Sequence, residues 1–156
     1  MRILVSACLL GCACRYDGNS KARQDILALS KRHELVPVCP EQMGGLPTPR
    51  MPAEIQGDRV VRQDGADITA EYRRGAMQAA YLCDALGCEA AILKARSPSC
   101  GSGLIYDGTF TGHLTSGDGV TARLLRGKGV PVWNEDNFGE AMRLYGALPI
   151  DGEEKL

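Results

Sequence analysis

The sequence predicts an α/β protein: a single domain with a mainly parallel sheet, helices on both faces and one or two small β-hairpins. Three observations lead there. Short apolar, β-tending runs alternate with segments whose apolar residues recur at helical spacing, the pattern of a parallel sheet covered on both sides. The 156 residues suffice for one ordinary core and are too few for two. No internal repeat, linker or low-complexity stretch divides the chain, so 1–150 read as one domain and 151–156, "DGEEKL", as a frayed tail.

The elements follow in order. "RILVSAC" is a strand ending near Cys8, broken by the Gly- and Asn-containing loop "LLGCACRYDGNS". "KARQDILALSKRH" sets Ile26, Leu27 and Leu29 at helical spacing, and "ELVPVCP" is a second strand ending near Cys39 and closed by Pro40. "EQMGGLPTPRMPAE", with three prolines and two glycines, is irregular and a candidate active-site loop. "EIQGDRVVRQDG" predicts a small hairpin. "TAEYRRGAMQAAYLCDALG" is the strongest helix, capped by Thr69 or Asp67, with a face of Tyr72, Ala76, Ala79, Ala80 and Cys83, and stopped by Gly87. "EAAILKA" is the third strand. "LIYDGTFTGHLTSGDG" predicts a second hairpin turning at "DGT", "GVTARLLRGKG" a short helix and "VPVWNE" the fourth strand. "DNFGEAMRLYGAL" closes the chain as a helix capped by Asp136 or Asn137.

Composition removes several functions. Eighteen Lys and Arg against nineteen Asp and Glu give a formal charge of -1, no net field for a polymeric nucleic acid or an anionic membrane. A local basic patch can still hold one phosphate. Seven cysteines, an odd number in a chain of this size, argue against a fully paired disulfide framework and for a reducing cytoplasm. "VSAC" imitates a lipoprotein cleavage box, but only "MRIL" precedes it, too short for an apolar signal region. No apolar run approaches the roughly 20 residues of a membrane helix.

In a parallel sheet, ligands gather beyond the carboxyl ends of the strands. Cys8, Cys39 and Cys100 each fall at the predicted end of a different strand, so they can converge in space. Cys100, in "SPSCGSG", lies on a backbone too bent for helix or strand, which points to exposure toward a ligand. Three thiolates suit zinc, copper(I) or an iron-sulfur cluster. The zinc signal is weak, because no paired C-x-x-C module is present, and the same absence argues against a thiol oxidoreductase. Glu41, two residues after Cys39, is a candidate general acid or base that apolar loop neighbours would desolvate. Ser97, three before Cys100, can donate or relay a proton.

Three motifs, "CLLGCACRYDG" at 8–18, "PVCPEQMGGLPTPR" at 37–50 and "KARSPSCGSG" at 94–103, together resemble the thiouracil desulfidases. These are a bacterial family formerly of unknown function, and the resemblance runs over nearly the whole chain. It also takes in "DIT" at 67–69, "GVTARLL" at 119–125 and "NED" at 134–136. The resemblance implies a 4Fe-4S cluster held by only Cys8, Cys39 and Cys100. Its one open iron would take the sulfur of a thiolated pyrimidine, without net redox change and with water supplying the oxygen. Glu41 and Ser97 match the family's catalytic pair, for water activation and proton delivery. Arg15, Arg50 and Lys94 are candidates to orient a substrate phosphate, with Ser99 and Gly101 as further substrate contacts. Cys14 sits inside the first motif and competes with Cys8 as ligand or guards the cluster. No appended transfer-RNA-directing domain is present, so the expected partner is a free thiolated base, nucleoside or nucleotide rather than polymeric nucleic acid.

Plainer readings stand beside these. Cys83 and Cys88 suit a core, Cys12 a loop and Trp133 packing, while His33 and His113 have no ligand-spaced partner. A non-catalytic iron-sulfur or metal-binding module and persulfide-based sulfur transfer are the alternative functions.

Overall fold

The computed structural model describes residues 1–146. The chain runs β1 (Arg2–Ser6), a 3-10 turn at Ala7–Leu10, α1 (Gln24–Leu27) tightening into 3-10 at Ala28–Lys31, β2 (Glu34–Val38) and α2 (Pro40–Met43). There follow β3 (Ala53–Gln56), β4 (Arg59–Arg62), α3 (Thr69–Ala85), β5 (Ala90–Leu93), β6 (Leu104–Tyr106) and β7 (Leu114–Ser116). α4 (Val120–Gly127), β8 (Val132–Asn134) and α5 (Phe138–Leu144) complete the described chain. The tail expected at 151–156 and the domain end expected at 150 lie outside the described residues.

The four predicted strands form one sheet in the order β2-β1-β5-β8, every pair parallel. Alternation along β1 explains the two layers, since successive side chains point to opposite faces. Ile3 and Val5 pack with Ile92, Ile26 of α1 and Phe138 and Met142 of α5. Leu4 packs on the opposite face with Ala79, Ala80 and Cys83 of α3 and Leu125 of α4. Pro37 is tolerated because β2 is an edge strand. The two predicted hairpins, β3-β4 and β6-β7, are separate two-stranded antiparallel sheets.

Four local differences from the expectation matter. The loop after Cys39 opens with one helical turn, α2, because Pro40 at its first position has no N–H to lose. α2 lies backbone to backbone on α3: a Cβ on Gly75 would stand 1.8 Å from the Pro40 carbonyl oxygen, and one on Gly44 2.0 Å from that of Glu71. Asp67, not Thr69, serves the start of α3, its Oδ1 accepting from Thr69 N at 2.9 Å, while Thr69 Oγ1 accepts from Val60 N. Asn137 occupies the cap position of α5, but its side chain turns back to accept from Asn134 N at 2.9 Å. Among the described residues, no helix is long and apolar enough to cross a membrane.

Candidate active site

β1 and β5 are neighbours in the sheet, yet the chain leaves β1 toward α1 on one face and leaves β5 toward α4 on the other. Diverging connections open a crevice at the carboxyl ends of such strands. A pocket of about 510 Å³ lies there, lined among others by Cys8, Cys14, Cys39, Glu41, Lys94 and Ser97. The three loops singled out in the sequence therefore meet at one place.

All seven cysteines are free thiols. Cys8 stands in the 3-10 turn that continues β1, and Cys39 just past the end of β2, half-buried. Cys14 lies between them. Its thiol is pulled down by a hydrogen bond with Cys39, but Cys8 and burial together push it up to about 11. The Cys14 hydrogen bond and then burial push Cys39 upward as well, and Cys39 Sγ donates to the Cys14 carbonyl at 3.7 Å. Cys100 differs from the sequence expectation of exposure: it is 6 % exposed and does not line the open pocket. Burial pushes its thiol up to about 12, against hydrogen bonds with Ser6 and Ser99 and with the charge of Glu41 nearby. The bent loop turns this side chain inward because α4 closes over it.

Among the described residues, no three His, Cys, Asp or Glu side chains are arranged to hold a single metal ion. A cubane cluster carries its irons at separate corners, so its thiolate ligands stand apart. Thiols of Cys8 and Cys39 on the wall of an open pocket, with Cys100 buried in a third strand-end loop, fit that group better than a closed zinc site.

Glu41 meets charge where apolar neighbours were expected. Arg50 Nε donates to Glu41 Oε2 at 2.7 Å, and Nη2 of the same guanidinium stands 2.5 Å from that oxygen as an ion pair. The Tyr72 hydroxyl donates to Oε1 at 2.9 Å. Arg50 also donates to the Cys14 carbonyl at 2.9 Å and to Thr48 Oγ1 at 3.0 Å. The Arg50 side chain is only 7 % exposed, so it is an internal clamp on Glu41 rather than a free phosphate grip. Burial, then the Glu41 charge, push the Tyr72 phenol well above its ordinary range, which keeps it a donor.

Ser97 Oγ accepts the backbone N–H groups of Ser99 at 3.1 Å and Cys100 at 2.8 Å. Among the described residues nothing accepts the Ser97 hydroxyl proton in return, so that proton is available to a molecule in the pocket. The rest of the loop is structural. The first amides of α4, which have no partners inside the helix, donate to the Pro98 and Ser99 carbonyls, and Gly119 N to that of Gly101. Ser99 is 1 % exposed, its hydroxyl paired with Thr121 at 2.8 Å. A Cβ on Gly101 would stand 2.7 Å from the Ser97 carbonyl oxygen. Both residues are therefore packed away from the pocket, a correction to their reading as substrate contacts.

Lys94 lines the pocket with its ammonium 2.8 Å from Glu135, a carboxylate whose side chain is 9 % exposed. Arg15 faces Asp17 at 3.4 Å and stacks over the Tyr16 ring. Each of the three proposed phosphate cations thus already has a carboxylate partner. Lys21 and Arg96, both exposed, also line the pocket, Arg96 with its guanidinium 3.8 Å from Asp136. The sequence reading missed Tyr72 and Glu135 as site residues. A tyrosine on a buried helix face was the available signal for the first, because a buried phenol requires a partner.

Comparison with known proteins bears on the family and the fold. The family model described as 2-thiouracil desulfurase matches residues 3–137. The uncharacterized protein YbbK of Bacillus subtilis (strain 168) is 41% identical over 150 residues, covering 90% of this chain and 99% of the relative. The solved structure of the 4Fe-4S-dependent thiouracil desulfidase TudS matches with a TM-score of 0.85 and 48% identity, over 94% of this chain and 99% of that one.

Proposed function

Since this chain belongs to the 2-thiouracil desulfurase family, we propose that it is a 4Fe-4S-dependent desulfidase that converts thiouracil, and thiolated pyrimidine nucleosides or nucleotides, to the oxo form. The observation carrying this reading is that Glu41 and Ser97 wall the same pocket as Cys8 and Cys39, with Cys100 tied to Ser97 by its backbone N–H at 2.8 Å. Cys8, Cys39 and Cys100 would hold the cluster, which supplies, when bound, an open iron acting as Lewis acid and sulfur acceptor, so that water replaces sulfur without redox change.

The protein's own groups supply the proton handling. Glu41, oriented by Arg50 on one oxygen and Tyr72 on the other, accepts the proton of the attacking water. Ser97, whose oxygen is held by two amides, offers its hydroxyl proton to the ring nitrogen or exocyclic atom that gains charge as the carbon–sulfur bond breaks. Donors fixed before the substrate arrives do not reorganise during reaction. Lys21 at the rim is the cation that would meet a phosphate, since Arg96 already faces Asp136. Arg50 and Lys94 serve to hold Glu41 and Glu135.

The test is anaerobic purification and reconstitution with iron and sulfide, followed by assay of uracil formed from thiouracil. The reading requires roughly four iron and four acid-labile sulfide per chain, lost in Cys100→Ser. It also requires turnover that disappears in Glu41→Ala and Ser97→Ala while their iron content stays. Zinc in place of iron overturns the reading. A loaded cluster with no turnover in the unaltered protein would leave a carrier, and unchanged turnover without iron would overturn the cluster's role.

A further inference from the structure

One wall of the pocket comes from the loop joining β6 and β7, and a buried carboxylate pins it there. Glu54, on β3, is 8 % exposed and lines the pocket. Its Oε1 accepts the backbone N–H groups of Gly108 at 3.0 Å and Phe110 at 3.1 Å. Gln56, two residues along the strand, donates from Nε2 to the Gly108 carbonyl at 2.8 Å. The backbones approach so closely that a Cβ on Gly108 would stand 2.6 Å from the Ile55 carbonyl oxygen.

This clamp holds Phe110 at φ 57°, the left-handed region, which a bulky side chain enters only when its surroundings impose it. Among the described residues, Arg96 at φ 69° is the one other non-glycine residue there, and both line the same pocket. A buried carboxylate that has no cation partner among the described residues, spent on two loop amides, and a phenylalanine held in a strained backbone have no part in the proton transfers above. Together they fix an aromatic ring at the pocket wall. Of the other aromatic side chains lining the pocket, Tyr72 is 3 % exposed and Tyr16 carries the Arg15 guanidinium over its ring; Tyr106, 37 % exposed on β6, precedes the loop amides that Glu54 holds.

We propose that Phe110 is the stacking surface for the pyrimidine ring of the substrate, and that Glu54 is a positioning residue that holds it there. A flat heterocycle gains free energy on an aromatic face whatever its substituents, so the same surface accepts thiouracil and the product uracil. The proposal rests on the desulfidase reading for the identity of the ring.

Uracil binding to the reconstituted protein, measured by calorimetry, tests it independently of turnover. Phe110→Gly removes the ring while relieving the positive φ, so the fold is retained; its uracil Kd rises about tenfold or more. Phe110→Tyr keeps the affinity within about twofold. Glu54→Ala reproduces the Phe110→Gly loss, whereas Glu54→Gln, which keeps an acceptor oxygen for both amides, restores binding. With thiouracil the same losses fall on KM, with kcat little changed. Equal uracil affinity in the unaltered protein and Phe110→Gly, including no binding to either, overturns the stacking role. Equal losses in Glu54→Gln and Glu54→Ala overturn the positioning role, because the charge itself would then be needed. Absent turnover with intact, Phe110-dependent uracil binding counts against the desulfidase reading alone.

Discussion

Glu41 receives Arg50 on one oxygen and Tyr72 on the other, so each partner can be removed separately with a different expected result. Tyr72→Phe keeps the packed ring and deletes one donor to the carboxylate. Chemical unfolding is expected to show a loss of about 1 kcal/mol, and steady-state assay a fall in kcat of roughly tenfold as Glu41 loses orientation. Arg50→Met is harsher, because it leaves a carboxylate only 14 % exposed without its cation. About 3 kcal/mol of stability is expected to go, with turnover lost even where the cluster is loaded. The convergence of Cys8, Cys39, Glu41 and Ser97 on one pocket was legible, because each is set beside a strand end or a bend. Arg50 was not legible as a clamp, nor Tyr72 as its companion. Nine and 31 residues separate them from Glu41, and nothing local in the sequence says which side chain will meet a given carboxylate.

The elements carry the site through close backbone approaches. α2 holds Glu41 against α3 by way of Gly44 and Gly75, and Gly75→Ala forces a methyl group into the Pro40 carbonyl. The helices must separate, and the expected outcome is a loss of several kcal/mol in chemical unfolding together with reduced iron loading, since Cys39 moves with α2. Gly127→Ala is the contrast. It lies in α4 with nothing within 4 Å of the added Cβ, so a gain of about 0.5 kcal/mol is expected. Helical periodicity located α3 and its buried face, and alternating apolar runs located the sheet strands, because burial of one face is a local pattern. The one-turn helix α2 and the breakdown of α1 into 3-10 were not legible: at four residues each, propensity is too weak to decide, and packing against neighbours does.

At the scale of the whole molecule, the site is the meeting of loops from separate strands at the carboxyl end of the sheet, and cofactor binding is expected to tie those loops together. Stripping iron from the reconstituted protein with a chelator should lower the thermal midpoint by several degrees. Amide exchange should rise in segments 7–21, 39–50 and 94–103, while the central strands β1 and β5 keep their protection. Equal exchange with and without iron would separate the cofactor from these loops. The sequence by itself determined the α/β class, the parallel strands and the chemical types at the strand ends, because periodicity, turn residues and donor chemistry are written locally. Only the tertiary structure decided that Cys100 faces inward, that Arg50 and Lys94 are held by carboxylates, and that Glu54 fixes Phe110 on the pocket wall. Those outcomes depend on distances between residues far apart in the chain, and the order β2-β1-β5-β8 sets them only once the core has packed.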